Sequence, residues 1–174
     1  NRKYAVTCNS GTDALAYSLM SMGIRPGDEV ITSNFSWIST ASCISMVGAT
    51  PVFCDIDLNS YHLSYNSVKR MISDKTKAIV YPHLFGNMSD MEEIKQLGIP
   101  IIEDACQSLG SSYNGVVAGS IGDISTLSFN ANKVVAGISG GGAILTDEKD
   151  RAEFFKKIRK HGNNEFLGFN SKML

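Results

Sequence analysis

The stretch STLSFNANKVVAGISGGGAILT, residues 125–146, combines two β-like segments with a single lysine, Lys133, and three consecutive glycines. Apolar and β-branched residues at its two ends predict strands, and the glycines predict a turn, because glycine adopts positive φ without strain. A lysine in such a place is most often a solvated surface residue. A chemical role for Lys133 therefore depends on what the rest of the chain brings to it.

Strands and helices alternate ahead of this stretch. Short apolar and β-branched runs predict strands at residues 3–8, 29–33, 51–57, 77–82 and 99–105. Helical spacing predicts helices that end near residue 22 and that cover residues 36–47, 64–72 and 88–98, and the charge order of residues 147–161 predicts one more. Nearly continuous apolar strands separated by helices indicate an α/β fold: three α/β/α layers around a mostly parallel central sheet.

The composition excludes several classes of protein. The chain has 174 residues, of which 43% are apolar and 19% charged, and a net charge of −1, which predicts one globular domain without a nucleic-acid-binding surface. It has no apolar run of about 20 residues, so we expect no membrane span. Four scattered cysteines predict reduced thiols in a cytoplasmic protein, and no cluster has the spacing of metal ligands.

Two further features lie at the ends of predicted strands, where α/β sheets bind their ligands. Ser10–Gly11–Thr12 opens the first helix, and its backbone N–H groups favour a phosphate, although an ordinary N-cap explains the same residues. Asp104 ends the strand IPIIED, and a buried carboxylate there requires donors; an ion pair or a cap is the alternative. Glu103 should point to the opposite face of the sheet.

An anion cradle, a strand-end acid and a lysine together match the requirements of pyridoxal phosphate. The helix terminus would hold the phosphate, and Asp104 would keep the pyridine nitrogen protonated. The amine of Lys133 would condense with the cofactor's carbonyl group.

The chain resembles the DegT/DnrJ/StrS family of sugar aminotransferases, which are pyridoxal-phosphate enzymes of fold type I. The resemblance covers essentially all 174 residues. It is carried by SGTDAL (10–15), PGDEVIT (26–32), FSWISTA (35–41), GATPVFCDID (48–57), EDACQSLGSSYNG (103–115), GDISTLSFNANK (122–133), GGGAILT (140–146) and RKHG (159–162). It implies the large domain of a cytoplasmic enzyme that transfers an amino group from an amino acid, glutamate being expected, to a nucleotide-linked keto-sugar.

The resemblance also implies residue roles. Lys133 and Asp104 would be catalytic: Lys133 would bind the cofactor and then move a proton, while Asp104 would bond the pyridinium nitrogen. Trp37 would stack on the ring, where the alternative is a core aromatic on a helix, and Gln107 would lie beside the phenolic oxygen. The residues expected to hold the phosphate are Gly11, Thr12 and Ser128.

Near the end of the chain, GFNSK (168–172) resembles the family's GxNxR segment. Its asparagine, which corresponds to Asn170, would reach the cofactor phosphate of the neighbouring subunit, so the resemblance implies a homodimer. Lys172 replaces the usual arginine and would lack a bidentate contact. Since relatives are longer, residues 1–162 would form the cofactor-binding large domain without its amino-terminal segment. Residues 163–174 would begin the connection to a carboxyl-terminal small domain.

Two other functions remain open for a chain of this kind. One is sugar dehydration, but dehydratases that resemble this family generally carry histidine in place of the lysine, so Lys133 favours transamination. The other is a non-catalytic regulatory protein that keeps the same fold.

Overall fold

The computed structural model describes residues 2–88, 91–160 and 162. A seven-stranded sheet forms its centre, and a two-stranded hairpin lies apart from it. The strands are β1 (Tyr4–Cys8), β2 (Glu29–Ser33), β3 (Thr50–Cys54), β4 (Thr76–Pro82), β5 (Ile101–Asp104), β6 (Ser112–Tyr113), β7 (Val116–Val117), β8 (Ile124–Ser128) and β9 (Gly142–Thr146). The helices are α1 (Gly11–Ser21), α2 (Ile38–Met46), α3 (Tyr65–Met71), α4 (Glu92–Lys95) and α5 (Lys149–Ile158), with a 3₁₀ turn at Leu84–Gly86.

The sheet has the order β1-β9-β8-β5-β4-β2-β3 and is mostly parallel. Strands β3, β2, β4, β5 and β8 pair in parallel, whereas β9 runs antiparallel to both β8 and β1. The antiparallel step arises because residues 129–141 return from β8 to β9 without a crossover helix. Lys133 lies in this connection.

Consecutive strand residues separate the two faces of the sheet. Val30 and Val80 pack in one cluster with side chains of α1 and α2, while Ile31 and Ile79 pack in another with side chains of α3 and α4. Because side chains alternate along a strand, both faces are apolar and both are covered by helices. The predicted three-layer α/β fold is therefore confirmed.

Several predicted boundaries differ from the structure. The helix predicted at 88–98 is only one turn, Glu92–Lys95, and Gly98 adopts a φ of +69° just beyond it. The strand predicted at 51–57 ends at Cys54, because Asp57 forms a turn in which its Oδ1 accepts from the N–H groups of Asn59 and Ser60. The β6–β7 hairpin was not predicted, although Asn114 and Gly115 provide the positive φ that such turns need.

Among the described residues, no helix is long and apolar enough to cross a membrane. The predicted connection at 163–174, including Asn170 and Lys172, lies outside the described residues.

Candidate active site

A cavity of about 270 Å³ opens at the edge of the sheet where the parallel strands end. Side chains or backbone of α1, β5, β8 and the β8–β9 connection line it. Every site residue that the sequence predicts within the described part of the chain is among its walls: Gly11, Thr12, Trp37, Asp104, Gln107, Ser128 and Lys133. Asn170 lies outside the described residues.

The start of α1 forms one end of the cavity. Ser10 caps this eleven-residue helix, since its Oγ accepts from the Asp13 N–H at 3.0 Å. The N–H groups of Gly11 and Thr12 belong to the first turn, which offers them no acceptor within the helix. Ser128, the last residue of β8, lines the cavity beside them. This end of the cavity therefore suits an anion such as a phosphate.

Two glycines allow the close packing at this end. A Cβ added at Gly11 would lie 2.8 Å from the Cβ of Ser128 and 2.9 Å from the Sγ of Cys106. A Cβ added at Gly142, the third glycine of the run, would overlap the backbone carbonyl of Ser10. The glycine run therefore does more than turn the chain, because it lets β9 approach the residue that caps α1.

Asp104 ends β5 and is 7% exposed. Its Oδ2 accepts a hydrogen bond from the hydroxyl of Thr40 at 2.9 Å, and its Oδ1 accepts from the N–H of Cys106 at 3.2 Å. The donors that a buried carboxylate requires are thus present. Asp104 lines the cavity, so the carboxylate is oriented by two donors beside a space that a ligand can enter.

Glu103 points to the other face of the sheet, as strand alternation predicts. Its carboxylate is fully buried and accepts five hydrogen bonds. The donors are His83 Nε2, the backbone N–H groups of Gly119, Ile121 and Gly122, and the Ser125 hydroxyl. Burial raises the pKa of this group, but the hydrogen bonds from His83, Gly122 and Gly119 outweigh it and lower the pKa to about 2. Sequence reasoning assigned Glu103 no role. In the structure, its hydrogen bonds attach the loop at residues 119–122, before β8, to strand β5.

Trp37 lies immediately before α2 and not within a helix as predicted. The residue is 59% exposed and lines the cavity, so it is not a core aromatic. Gln107 lines the same cavity, and its Oε1 accepts from the N–H of Phe85 at 3.0 Å. Because the carboxamide oxygen is occupied by this bond, the NH₂ group of Gln107 is left to donate elsewhere.

Lys133 is half-buried in the β8–β9 connection and lines the same cavity. Its backbone N–H donates to the carbonyl of Asn130 at 2.9 Å, which closes a tight turn after β8. Burial, followed by the nearby charge of Asp104, raises the pKa of the Cys106 thiol well above its ordinary range. The cavity therefore holds an amine and a carboxylate, beside a thiol that stays protonated.

Sequence reasoning missed the hydroxyl groups around the start of α2. Thr40 donates to Asp104, and Ser39 accepts a hydrogen bond from the Thr12 hydroxyl at 2.8 Å. Ser36 lies 3.0 Å from Thr40, oxygen to oxygen. The only signal in the sequence is the density of hydroxyl residues in FSWISTA, which is also common at ordinary helix starts.

The chemistry of these groups fits a phosphorylated pyridine aldehyde. The cavity offers an anion cradle, a buried carboxylate, an amide donor, an exposed aromatic ring and an amine, and a side chain at Gly11 would clash with the walls of the cradle. An α/β sheet that carries these groups at the carboxyl ends of its strands is typical of the class of pyridoxal-phosphate-binding domains.

Within that class, the chain belongs to the DegT/DnrJ/EryC1/StrS aminotransferase family, whose model matches residues 1–174. The resemblance seen in the sequence is thereby confirmed. The family and its solved structures, obtained in forms with pyridoxal phosphate and pyridoxamine phosphate, indicate that the cofactor is pyridoxal 5′-phosphate.

The similar proteins include both a regulatory protein and an aminotransferase. A pleiotropic regulatory protein of Geobacillus stearothermophilus is 39% identical over 180 residues, which are 98% of this chain and 48% of that protein. A UDP-2-acetamido-2-deoxy-3-oxo-D-glucuronate aminotransferase of Pseudomonas aeruginosa is 37% identical over 98% of this chain and 50% of its own length. The crystal structure of DesV from S. venezuelae superposes with a TM-score of 0.94 at 32% identity, over 98% of this chain and 47% of DesV. The chain spans about half the length of the curated relatives it matches.

Proposed function

We propose that the protein containing this chain is a pyridoxal-phosphate-dependent aminotransferase that transfers an amino group from an amino acid to a nucleotide-linked keto-sugar. Glutamate is the proposed donor. The observation that carries the proposal is the meeting of Lys133, Asp104 and the start of α1 around one cavity. The aminotransferase relative from P. aeruginosa, whose name describes a UDP-linked 3-oxo sugar as the substrate, supports the substrate class.

When bound, the cofactor supplies a protonated pyridine ring that accepts electrons from the substrate carbon. Asp104 would keep the ring nitrogen protonated, because its carboxylate lies in the cavity with its charge held by two donors. The amine of Lys133 would hold the cofactor covalently. Once released, it would carry the proton between the substrate carbon and the C4′ carbon of the cofactor.

The remaining residues would fix the orientation of the ring. The N–H groups of Gly11 and Thr12 and the hydroxyl of Ser128 would bind the phosphate at the start of α1. Gln107 would donate its NH₂ group to the phenolic oxygen, since its carbonyl oxygen is held by Phe85. Trp37 would cover one face of the ring and exclude water from it.

Lys133→Ala tests the proposal most directly. The intact protein should bind pyridoxal phosphate with an absorption band that borohydride removes, and it should convert glutamate to 2-oxoglutarate with a suitable keto-sugar nucleotide. The variant should lose both the band and the turnover. Lys156→Ala is the matched control, because Lys156 pairs with Glu153 on α5 and should leave both unchanged. An intact protein that binds no pyridoxal phosphate would contradict the proposal.

A regulatory function is the second candidate, since one relative is a pleiotropic regulatory protein. Retention of Lys133 and Asp104 in one cavity favours catalysis over it. A panel of keto-sugar nucleotides separates the two functions: cofactor binding without amino transfer to any of them would favour regulation. A dehydrated product without a new amine would instead identify the dehydratase alternative.

We also propose a homodimer in which Asn170 of one subunit reaches the cofactor phosphate of the other. Residues 1–162 would be the cofactor-binding domain, and residues 163–174 would begin the connection to a small domain. The four cysteines are all free, which supports a reducing compartment such as the cytoplasm.

A further inference from the structure

Thr40 connects the start of α2 to the acid at the end of β5. It is 1% exposed, and its hydroxyl donates to the Oδ2 of Asp104 at 2.9 Å across 64 residues of sequence. The Ser36 oxygen lies 3.0 Å from the same hydroxyl. Thr40 therefore lies between a residue of the cavity wall, Ser36, and the buried carboxylate.

The chemistry of the three groups sets the direction of this chain of hydrogen bonds. An ionised carboxylate only accepts, and a hydroxyl carries one proton. Since the one hydroxyl hydrogen of Thr40 is used in the hydrogen bond to Asp104, the Ser36 hydroxyl must donate to the Thr40 oxygen. The two bonds run in the same direction and strengthen each other, with the negative charge of Asp104 at the end.

Helix stability does not explain this use of the Thr40 hydroxyl. A threonine in the first turn of a helix commonly bonds to nearby backbone groups. Here Trp37 occupies the N-cap and gives no side-chain cap, yet the Thr40 hydroxyl reaches across to another element instead. The bond thus acts on Asp104 and not on α2.

Both oxygens of Asp104 are held in this way. Oδ2 accepts from Thr40 and Oδ1 from the N–H of Cys106, so the carboxylate plane cannot rotate without losing a bond. Each oxygen keeps a further lone pair for a third donor from the cavity.

We propose that Thr40 is a positioning residue for cofactor binding, whose hydroxyl orients the Asp104 carboxylate towards the pyridine nitrogen and supports its negative charge. This inference rests on the proposed function, which assigns the ring nitrogen to Asp104. It predicts that Thr40 matters only for cofactors that have this nitrogen.

The test compares pyridoxal phosphate with its 1-deaza analogue, in which carbon replaces the ring nitrogen. Equilibrium dialysis of the intact protein gives the preference for the natural cofactor as a ratio of the two dissociation constants. Thr40→Val should reduce this ratio about tenfold, because a hydrogen bond to a charged group is lost. Thr40→Ser should restore it, and the affinity for inorganic phosphate should not change.

Thr32→Val is the matched control. Thr32 is also fully buried, and its hydroxyl donates to a backbone carbonyl, that of Val80 at 3.1 Å. It should lower the melting temperature in the same way as Thr40→Val without changing the cofactor ratio. If Thr40→Val does not fold, Thr40→Ala provides the same loss of the hydroxyl.

Asp104→Asn separates the two possible failures. If it abolishes the preference while Thr40→Val leaves the ratio unchanged, the role of Thr40 is wrong and the proposed function stands. If neither variant changes the ratio, Asp104 does not bind the ring nitrogen, and the proposed role of Asp104 fails together with this inference. The positioning role of Thr40 is supported if Thr40→Val and Asp104→Asn both reduce the preference for the natural cofactor and Thr40→Ser recovers it.

Discussion

Replacing Glu103 by glutamine should destabilise the protein although Glu103 itself does not line the cavity. The carboxylate accepts His83 and Gly119 on Oε1, at 3.0 and 2.7 Å, and three more donors on Oε2. A carboxamide has the same shape, but one of its oxygens becomes an NH₂ group. In either orientation that group faces at least one backbone N–H, that of Gly119 at one oxygen or those of Ile121 and Gly122 at the other, so hydrogen bonding of this fully buried residue is lost.

The lowered pKa of Glu103 gives the size of the effect. A pKa that falls from the ordinary 4.5 to about 2 on folding means that the native state favours the charged form by about 3 kcal/mol. Replacement of the charge should cost about that amount at neutral pH, which corresponds to a melting temperature lower by about 10 °C.

The sign of the pH dependence follows from the same values. Since the folded pKa lies below the unfolded one, the stabilisation is fully present above pH 4.5 and is lost as the pH falls towards 2. The free energies of unfolding of the natural protein and of Glu103→Gln should therefore differ at pH 7 and converge between pH 4.5 and pH 2.

Urea unfolding of the intact protein at several pH values measures both quantities. Glu153→Gln is the control, because Glu153 is a half-exposed residue of α5 whose ion pair with Lys156 lies at the surface, so its replacement should change the unfolding midpoint far less. The reasoning is refuted if Glu103→Gln matches this control at pH 7, or if the difference between the two proteins stays constant down to pH 2.

Three further predictions concern the cavity. Gly11→Ala should weaken binding of inorganic phosphate and lower stability by about 1–3 kcal/mol, because the new Cβ would lie within 3 Å of Ser128 and Cys106; calorimetry and urea unfolding measure the two effects. Trp37→Ala should leave the melting temperature unchanged, since the residue is 59% exposed, but should weaken the binding of pyridoxal phosphate up to about tenfold in equilibrium dialysis. Cys106 should react with iodoacetamide at pH 8 much more slowly than a free thiol, as followed by peptide mass spectrometry, because burial and Asp104 raise its pKa well above the ordinary range.

The parts of the fold that depend on periodicity were predictable from the sequence. Strand EVITS was predicted at residues 29–33, the range that the structure shows, because its apolar run is fully buried between helices. The helix predicted at 88–98 was too long, since Met91 and Ile94 are buried as helical spacing suggests but the helix has a single turn. Burial on one face produces the same spacing in a short helix and in a long one.

From the residues alone, the candidate site was predictable only where it depends on strand ends, and Trp37 and Gln107 were predicted only through the family resemblance. Asp104, Ser128 and the start of α1 meet because parallel strands finish at one edge of a sheet. The Thr40–Asp104 and Thr12–Ser39 hydrogen bonds were not predictable, because they join helices and strands far apart in the chain through hydroxyl groups that any helix start can carry. Which side chains complete a site depends on tertiary packing, and a hydroxyl-rich helix start does not reveal which elements will pack against it.

The two adjacent acids at the end of β5 show how a structural carboxylate differs from one that is available to a ligand. Strand alternation sends Glu103 and Asp104 to opposite faces, so both are buried without facing each other. Five donors surround Glu103 and two hold Asp104, which leaves Asp104 lone pairs to offer beside the cavity. The more completely bonded acid anchors the scaffold, and its neighbour, fixed in direction but not saturated, is the one suited to hold the ring nitrogen of the cofactor.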